Sequence, residues 1–257
     1  VPMVWFRVVV GVGSARDPEG KEGLANLTAE LMLRGTQDRS RDVFERTLEG
    51  LGASVGAGVD QDSITISGSV LSENWPKVAT LLSEALQFPR FDAADMKDLV
   101  GEIQADIVEA RNNDRALGGR FFAEGLFAGH PYARPVLGTQ TSLDAIKLAD
   151  VDAFFHTKFT SQGAIAALLG DFDNGAGSDL ATIVGKLEGG LPTDEGRILP
   201  NNPEGRHLVL VDKPERTQVQ VHLGHFFPRA EGADYAASWV VNEAFGGYGF
   251  GTRMMSE

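Results

Sequence analysis

The most informative segment of this chain reads Gly23-Leu-Ala-Asn-Leu-Thr-Ala-Glu-Leu-Met-Leu-Arg-Gly-Thr36. Its leucines at positions 24, 27 and 31 recur at the spacing of one helical face, and Gly35 is a stop signal. The stretch therefore predicts an amphipathic helix whose apolar face packs on a core. The polar residues Asn26 and Glu30 fit the exposed face of such a helix, where they need no function.

Alternating apolar residues on both sides of this helix predict strands. The segment Val1 to Val12 is predicted to be a strand with both faces partly covered. Ala53 to Val59 and Ser63 to Leu71 are predicted to form a hairpin. Gly163 to Gly170 is a short apolar run, which predicts a strand that is buried on both faces.

Helical periodicity connects these strands. Ser72 and Asp92 are predicted N-caps of two helices, because short polar side chains accept from the first free N–H groups. Ser142 is predicted to open a longer helix. The predicted helices cover residues 41–51, 72–86, 92–111, 115–127, 142–159 and 177–187.

Prolines, glycines and asparagines with few apolar neighbours follow this unit, a composition typical of a linker. The predicted organisation is a first domain over 1–190, a linker over 191–206 and a second unit over 207–257. Strands at His207 to Val211 and Thr217 to Leu223, then a helix from Asp234 to Phe245, repeat the order of the chain's opening. The second unit has 51 residues, so we expect an incomplete domain.

The charge balance excludes some partners. There are 36 acidic and 23 basic residues, a formal charge of −13, which repels phosphate backbones and anionic lipid surfaces. No apolar run approaches the roughly 18 residues of a bilayer span. We therefore expect neither nucleic acid nor membrane as a partner. The absence of cysteine removes disulfides and thiolate zinc sites.

The stretch from Gly23 to Thr36, called the signature stretch below, resembles the zinc-binding helix of peptidase family M16, the insulinase and pitrilysin family. That helix has the pattern Gly-Leu-Ala-His-x-x-Glu-His-Met-x-x-x-Gly-Thr. In active members the two histidines bind zinc and the glutamate is the base that activates the metal-bound water. Here the three positions carry Asn26, Ala29 and Glu30.

The family's third zinc ligand is a glutamate on a later helix, and Gly101-Glu-Ile103 resembles that position, so Glu102 corresponds to this ligand. Without imidazole nitrogens, Asn26, Glu30 and Glu102 make a poor zinc site. Even with a metal, Ala29 supplies no base. The resemblance therefore implies no catalytic residue, no metal and no cofactor on this chain, and a structural carboxylate is the alternative role of Glu102.

Other landmarks of the family occur in the same order along the chain. They are Pro2 to Arg7 with Val12-Gly-Ser, the Gly129-His-Pro-Tyr132 loop, the segment Phe155 to Phe172, Gln218 after Lys213-Pro214, and the glycine-rich Gly246 to Arg253. Their common order along the chain makes the resemblance specific.

The resemblance implies an α+β fold, in which an antiparallel-rich sheet packs against helices in each of two homologous domains, the second truncated here. It implies a non-catalytic subunit of a heterodimeric metallopeptidase, which encloses and binds peptide substrate with an M16 partner that carries the intact motif and the zinc. The alternatives are a structural scaffold, as among the respiratory-complex members, and an enzyme with a relocated metal site.

The glycine-rich segment is the candidate for substrate contact. The resemblance implies a flexible loop that faces the peptide chamber, and a mobile turn is the alternative. The family's arginine and tyrosine substrate pair is expected after Glu257. The candidate substrate-binding residues are Gly246, Gly247, Tyr248, Gly249, Phe250 and Gly251.

Overall fold

The computed structural model describes residues 2–187, 199–201, 204–214, 216–229, 231–247 and 252–253. Its centre is an antiparallel sheet of four strands in the order β2-β3-β1-β4. The hairpin predicted for β2 and β3 is confirmed. The strands are β1 (Met3–Val10), β2 (Ser54–Val59), β3 (Ile64–Leu71) and β4 (Ile165–Gly170).

Strand β1 lies in the middle of the sheet, between β3 and β4. Every second residue of β1, from Val4 to Val10, is buried, as period-2 alternation requires. The opposite face is more open, because Trp5 is 47% exposed. Met3 and Val9 on that face are half-buried, so the predicted partial cover of both faces is confirmed, although Trp5 and Arg7 between them are open.

Strand β4 is an edge of the sheet and pairs with β1 alone. Ile165 is 67% and Leu169 72% exposed, and both lie on the same face as Trp5 in the register. The prediction that β4 is buried on both faces was wrong. Its continuous apolar run indicated burial, but no described element covers the outer face of this edge.

Helices pack on the inner face of the sheet and at its ends. The helices predicted over 41–51, 92–111, 115–127 and 177–187 are confirmed to within a few residues. The helices are α1 (Leu24–Leu31), α2 (Arg41–Gly50), α3 (Trp75–Gln87), α4 (Ala93–Ala110), α5 (Asp114–Leu126), α6 (Gln140–Ala145), α7 (Leu148–Lys158), α8 (Asn174–Gly185) and α9 (Tyr235–Gly246).

Two predicted helix starts differ from the structure. Asp92 caps α4 as predicted, since its carboxylate accepts from the Ala94 amide at 2.8 Å. Ser72 does not cap α3, which begins at Trp75 after a 3-10 turn. The helix predicted from Ser142 is divided into α6 and α7, and Ser142 is the third residue of a helix capped by Thr139. Local composition placed these helices but did not resolve their first turns.

Helix α1 is the central helix of the core. Leu24, Leu27 and Leu31 are at most 3% exposed, which confirms the predicted apolar face of the signature stretch. The predicted exposed polar face was wrong, because Asn26 and Thr28 are buried as well and only Glu30 is half-exposed. Each buried leucine contributes roughly 1.5–3 kcal/mol relative to an exposed one. The helix contacts α7, α4 and strand β2, so its position relative to α4 is fixed by packing on both sides.

Beyond residue 187 the chain leaves the sheet. Residues 188–190, at the end of the predicted first domain, lie outside the described residues, as do residues 191–198 and 202–203 of the predicted linker. The segments 207–211 and 217–223 form no strand among the described residues, so both strand predictions were wrong. Neither backbone lies against a described sheet edge that could supply ladder hydrogen bonds. Helix α9 confirms the helix predicted over 234–245.

In the described part of the chain, none of the helices combines the length and the apolar character that crossing a bilayer requires.

Candidate functional site

A buried carboxylate holds the start of helix α1. Asp17 accepts hydrogen bonds from the Gly23 amide at 2.8 Å and from the Ala25 amide at 2.9 Å. These are two of the N–H groups that a helix leaves free at its first turn. Burial raises the pKa of Asp17 to about 6, although the two amides and the nearby charge of Arg134 lower it. Asp17 thus positions the signature stretch.

Side chains from the loop before α6 and from α6 itself bind the backbone just before α1. Arg134 donates to the backbone oxygens of Asp17 at 2.8 Å and Ala15 at 3.1 Å. Ser142 donates to the Glu22 oxygen at 2.8 Å. Segments more than 100 residues apart therefore meet at the start of α1, and the landmark loop near Tyr132 has a structural role here.

Two of the candidate residues pair on α1 itself. Asn26 and Glu30 are one turn apart, and the Asn26 amide donates to a Glu30 carboxylate oxygen at 2.8 Å. Asn26 is 6% exposed, so the prediction that it lies on the exposed face of the helix was wrong. Ala29 is fully buried and its methyl group faces the core. No proton acceptor is therefore present at position 29.

The fourth candidate, Glu102, lies on α4 and pairs with an arginine of the signature stretch. Arg34 donates from Nη1 to Oε1 of Glu102 at 3.2 Å and from Nη2 to Oε2. This hydrogen bond lowers the pKa of the Glu102 carboxyl, and the positive charges of Arg34 and Arg41 act in the same direction. A planar guanidinium thus binds both oxygens of this carboxylate.

The donor set does not fit a zinc ion. Zinc in proteins takes imidazole, thiolate or carboxylate ligands in a tetrahedron. Here the Glu30 carboxylate accepts from Asn26, and both oxygens of Glu102 accept from Arg34. Across the described ranges, no three His, Cys, Asp or Glu side chains cluster as metal ligands. No chemical step at this site can therefore be derived through a metal on this chain.

The glycine-rich candidates are only partly described. Gly246 is the last residue of α9, and the Gly247 amide donates to the Glu243 oxygen at 3.1 Å, which ends that helix. Tyr248, Gly249, Phe250 and Gly251 lie outside the described residues. Substrate contact by these residues stays a prediction.

Sequence reasoning missed two residues of the site. Asp17 lies in a turn, six residues before Gly23, and only its Asp-Pro dipeptide marks it as a turn residue. Arg34 lies in the signature stretch, but neither its spacing nor the resemblance assigns it a role. Its basic side chain one turn after Glu30 is the signal that could have suggested a partner for Glu102.

The chain is similar to bacterial proteins whose names disagree about peptidase activity. A Mycobacterium tuberculosis protein named uncharacterized zinc protease is 26% identical over 261 residues, which cover 97% of this chain and 57% of that protein. A Helicobacter pylori protein named non-peptidase homolog is 24% identical over 259 residues, which cover 100% and 59%. The chain thus spans somewhat more than half the length of these relatives.

The fold is also known from a solved structure. The crystal structure of a peptidase M16 inactive domain from Pseudomonas fluorescens superposes with a TM-score of 0.81 at 26% identity, covering 100% of this chain and 62% of that one. The α+β fold expected from the resemblance is confirmed. The sequence model of the insulinase family matches residues 2–140, which include the whole signature stretch and Glu102. This chain therefore belongs to the insulinase family, peptidase family M16.

Proposed function

We propose that this chain is the non-catalytic subunit of a heterodimeric M16 metallopeptidase, and that it helps to enclose and bind a peptide for a zinc-bearing partner. One observation carries the proposal. The polar groups at the positions of the family's zinc ligands bind one another or an arginine, in the pairs Asn26–Glu30 and Arg34–Glu102.

The names of the similar proteins support a non-catalytic role only in part. The Helicobacter protein and the Pseudomonas domain are named as non-peptidase and inactive. The mycobacterial protein is named a zinc protease. Because these names differ, the proposal depends on the residues of this chain, and above all on the buried Ala29 where a base is needed.

In this account zinc and the activated water belong to the partner, and this chain contributes surface. Its charge of −13 raises the local concentration of basic peptides, an effect that salt weakens. The glycine-rich residues 246–251 are the proposed contact with the peptide backbone, because glycine allows close approach of another chain. Both contributions change substrate binding and leave the chemistry to the partner.

Co-expression tests the pairing. The full-length protein is produced together with an M16 chain that carries the intact zinc motif and is encoded in the same genome, and light scattering measures the mass of the eluted species. We expect a 1:1 complex that cleaves a basic fluorogenic peptide faster than the zinc-bearing chain alone. Two separate monomers would refute the pairing. A complex with an unchanged cleavage rate would favour the scaffold alternative.

A second experiment tests the contact residues. In the complex, the double variant Tyr248→Ala/Phe250→Ala is expected to raise KM several-fold and to leave kcat nearly unchanged, because uniform binding is lost. Phe172→Ala is the matched control, since Phe172 is an exposed aromatic residue after β4. Equal KM values for the two variants would remove residues 246–251 from the site.

A further inference from the structure

Residues 207–214 and 216–226, together called the strap below, lie along helix α5 in two arms. In the first arm Val209 lies beside Gly125, near the end of the helix, and Lys213 reaches its first residue, Asp114. In the second arm Arg216 also contacts Asp114, and Phe226 packs on Phe127 with ring centroids 5.3 Å apart. The first arm therefore runs towards the start of α5, and the second arm runs back along the helix.

Asp114 binds the end of the first arm, through Lys213, and the beginning of the second arm, through Arg216. Its carboxylate pairs with the Lys213 ammonium, and its Oδ2 lies 3.2 Å from Nε of Arg216. The Lys213 ammonium also donates to the Arg111 oxygen at 2.7 Å, at the end of α4. One carboxylate thus holds two cations of the strap at the junction of α4 and α5. It is the first residue of α5, where a negative charge also favours the helix dipole.

Small residues let the second arm approach the helix. A β-carbon on Gly118 would lie 2.7 Å from the His222 ring, and one on Gly224 would lie 2.7 Å from the Phe122 ring. The rings of Phe122 and His222 have centroids 6.3 Å apart. Gly118 on the helix therefore leaves space for the His222 ring, and Gly224 on the strap leaves space for the Phe122 ring.

The two sides of the strap differ in exposure. In the first arm Leu208 and Leu210 are 91% and 87% exposed, whereas Val209 and Val211 are 60% and 41% exposed. This alternation is that of an extended chain with one side turned to a helix. In the second arm Val219, Val221 and Leu223 are similarly open. The apolar side chains that face away from α5 share one side of the strap.

We propose that α5 is a docking surface for the strap, and that Asp114 is the latch that sets the strap's position by binding Lys213 and Arg216. The latch fixes the direction in which the apolar side of the strap faces. This inference concerns the chain itself and does not depend on the proposed peptidase partner.

An engineered disulfide tests whether the first arm of the strap lies beside α5. Because the chain contains no cysteine, no native thiol can compete with the engineered pair. A β-carbon at position 125 would lie 3.9 Å from a methyl carbon of Val209, within the reach of a disulfide. Gly125→Cys/Val209→Cys in the full chain is expected to cross-link under mild oxidation. Gly177→Cys/Val209→Cys is the negative control, because no side chain lies within 4 Å of a β-carbon at Gly177.

The latch is tested by adding Asp114→Asn to the cysteine pair. Partly exposed ion pairs contribute modestly, so we expect about a fivefold slower cross-link from the loss of two pairs. Asp98→Asn, an exposed aspartate on α4, is the matched control and should leave the rate unchanged. Equal rates for the two aspartate variants, or no cross-link at all, would overturn the proposal.

Trypsin gives a readout without cysteines. Cleavage after Arg216 needs its side chain free for the protease, whereas Pro214 protects the bond after Lys213. We expect cleavage after Arg216 to be several-fold faster in Asp114→Asn, and faster in the unaltered protein at high salt. Circular dichroism establishes that each variant is folded before digestion. A folded Asp114→Asn variant that is cleaved at the unaltered rate would contradict the latch.

Discussion

Arg34 donates to both carboxylate oxygens of Glu102 and so joins the end of the signature stretch to the middle of α4. In this protein an internal cation satisfies the carboxylate that the family resemblance assigns to the metal. The pairing is a two-point contact between a planar guanidinium and a carboxylate, the strongest geometry for such a pair. Glu102 would have to give up its hydrogen bonds with Arg34 in order to bind a metal, so removing Arg34 tests whether the two compete.

The first prediction concerns competition for Glu102. Asn26→His/Glu30→His returns two imidazoles to α1, and adding Arg34→Gln frees the third ligand. We expect the triple variant to bind zinc about tenfold more tightly than the double variant, which corresponds to roughly 1.4 kcal/mol. Titration calorimetry measures both affinities. Equal affinities would show that Arg34 does not compete with the metal.

The second prediction concerns the titration of Glu102. Its pKa is lowered by the Arg34 hydrogen bond, so the pair stabilises the fold above the ordinary pKa and is lost as pH falls through the lowered value. Because the Glu102 side chain is 52% exposed, the contribution is at most about 1 kcal/mol. Carboxyl NMR should show a higher Glu102 pKa in Arg34→Gln. An unchanged pKa would contradict the pairing.

The third prediction concerns Asp17, whose pKa shifts in the opposite direction. Burial raises it to about 6, so the folded protein holds this proton more tightly than the unfolded chain. The stabilisation from the bound proton is therefore complete below about pH 4 and is lost as pH rises to about 6, by up to about 3 kcal/mol. Asp17→Asn should remove this part of the pH dependence.

Urea unfolding at several pH values measures that difference. The free energy of unfolding of the unaltered protein, minus that of Asp17→Asn, is expected to fall between pH 4 and pH 6. Asp98→Asn is the control, since an exposed aspartate should give a nearly constant difference. A constant difference for Asp17→Asn as well would show that Asp17 is charged throughout this range.

Local patterns in the sequence were sufficient for most of the first unit. The alternation of β1, the hairpin of β2 and β3 and the periodicity of α4 each depend on neighbours in the chain, and all three are confirmed. The signature stretch was also placed as a helix from its leucines alone. Short-range physics determines these elements, because each is specified by the spacing of its own apolar residues.

The errors arose where distant parts of the chain decide the outcome. Strand β4 is apolar enough for a central position, but its place at the sheet edge leaves Leu169 exposed. The segments 207–211 and 217–223 alternate like strands, yet a strand needs a neighbouring backbone. In the site, Arg34 and Glu102 are 68 residues apart, so no local spacing could have paired them.

Metal analysis of the purified full-length chain, combined with a peptide cleavage assay with and without chelator, shows whether this chain binds and uses zinc of its own. We expect far less than one zinc ion per chain and no chelator-sensitive cleavage. We also expect Arg34 to remain bound to Glu102 in the presence of added zinc, seen as an unchanged Glu102 carboxyl signal. One tightly bound zinc per chain together with chelator-sensitive cleavage would contradict these expectations.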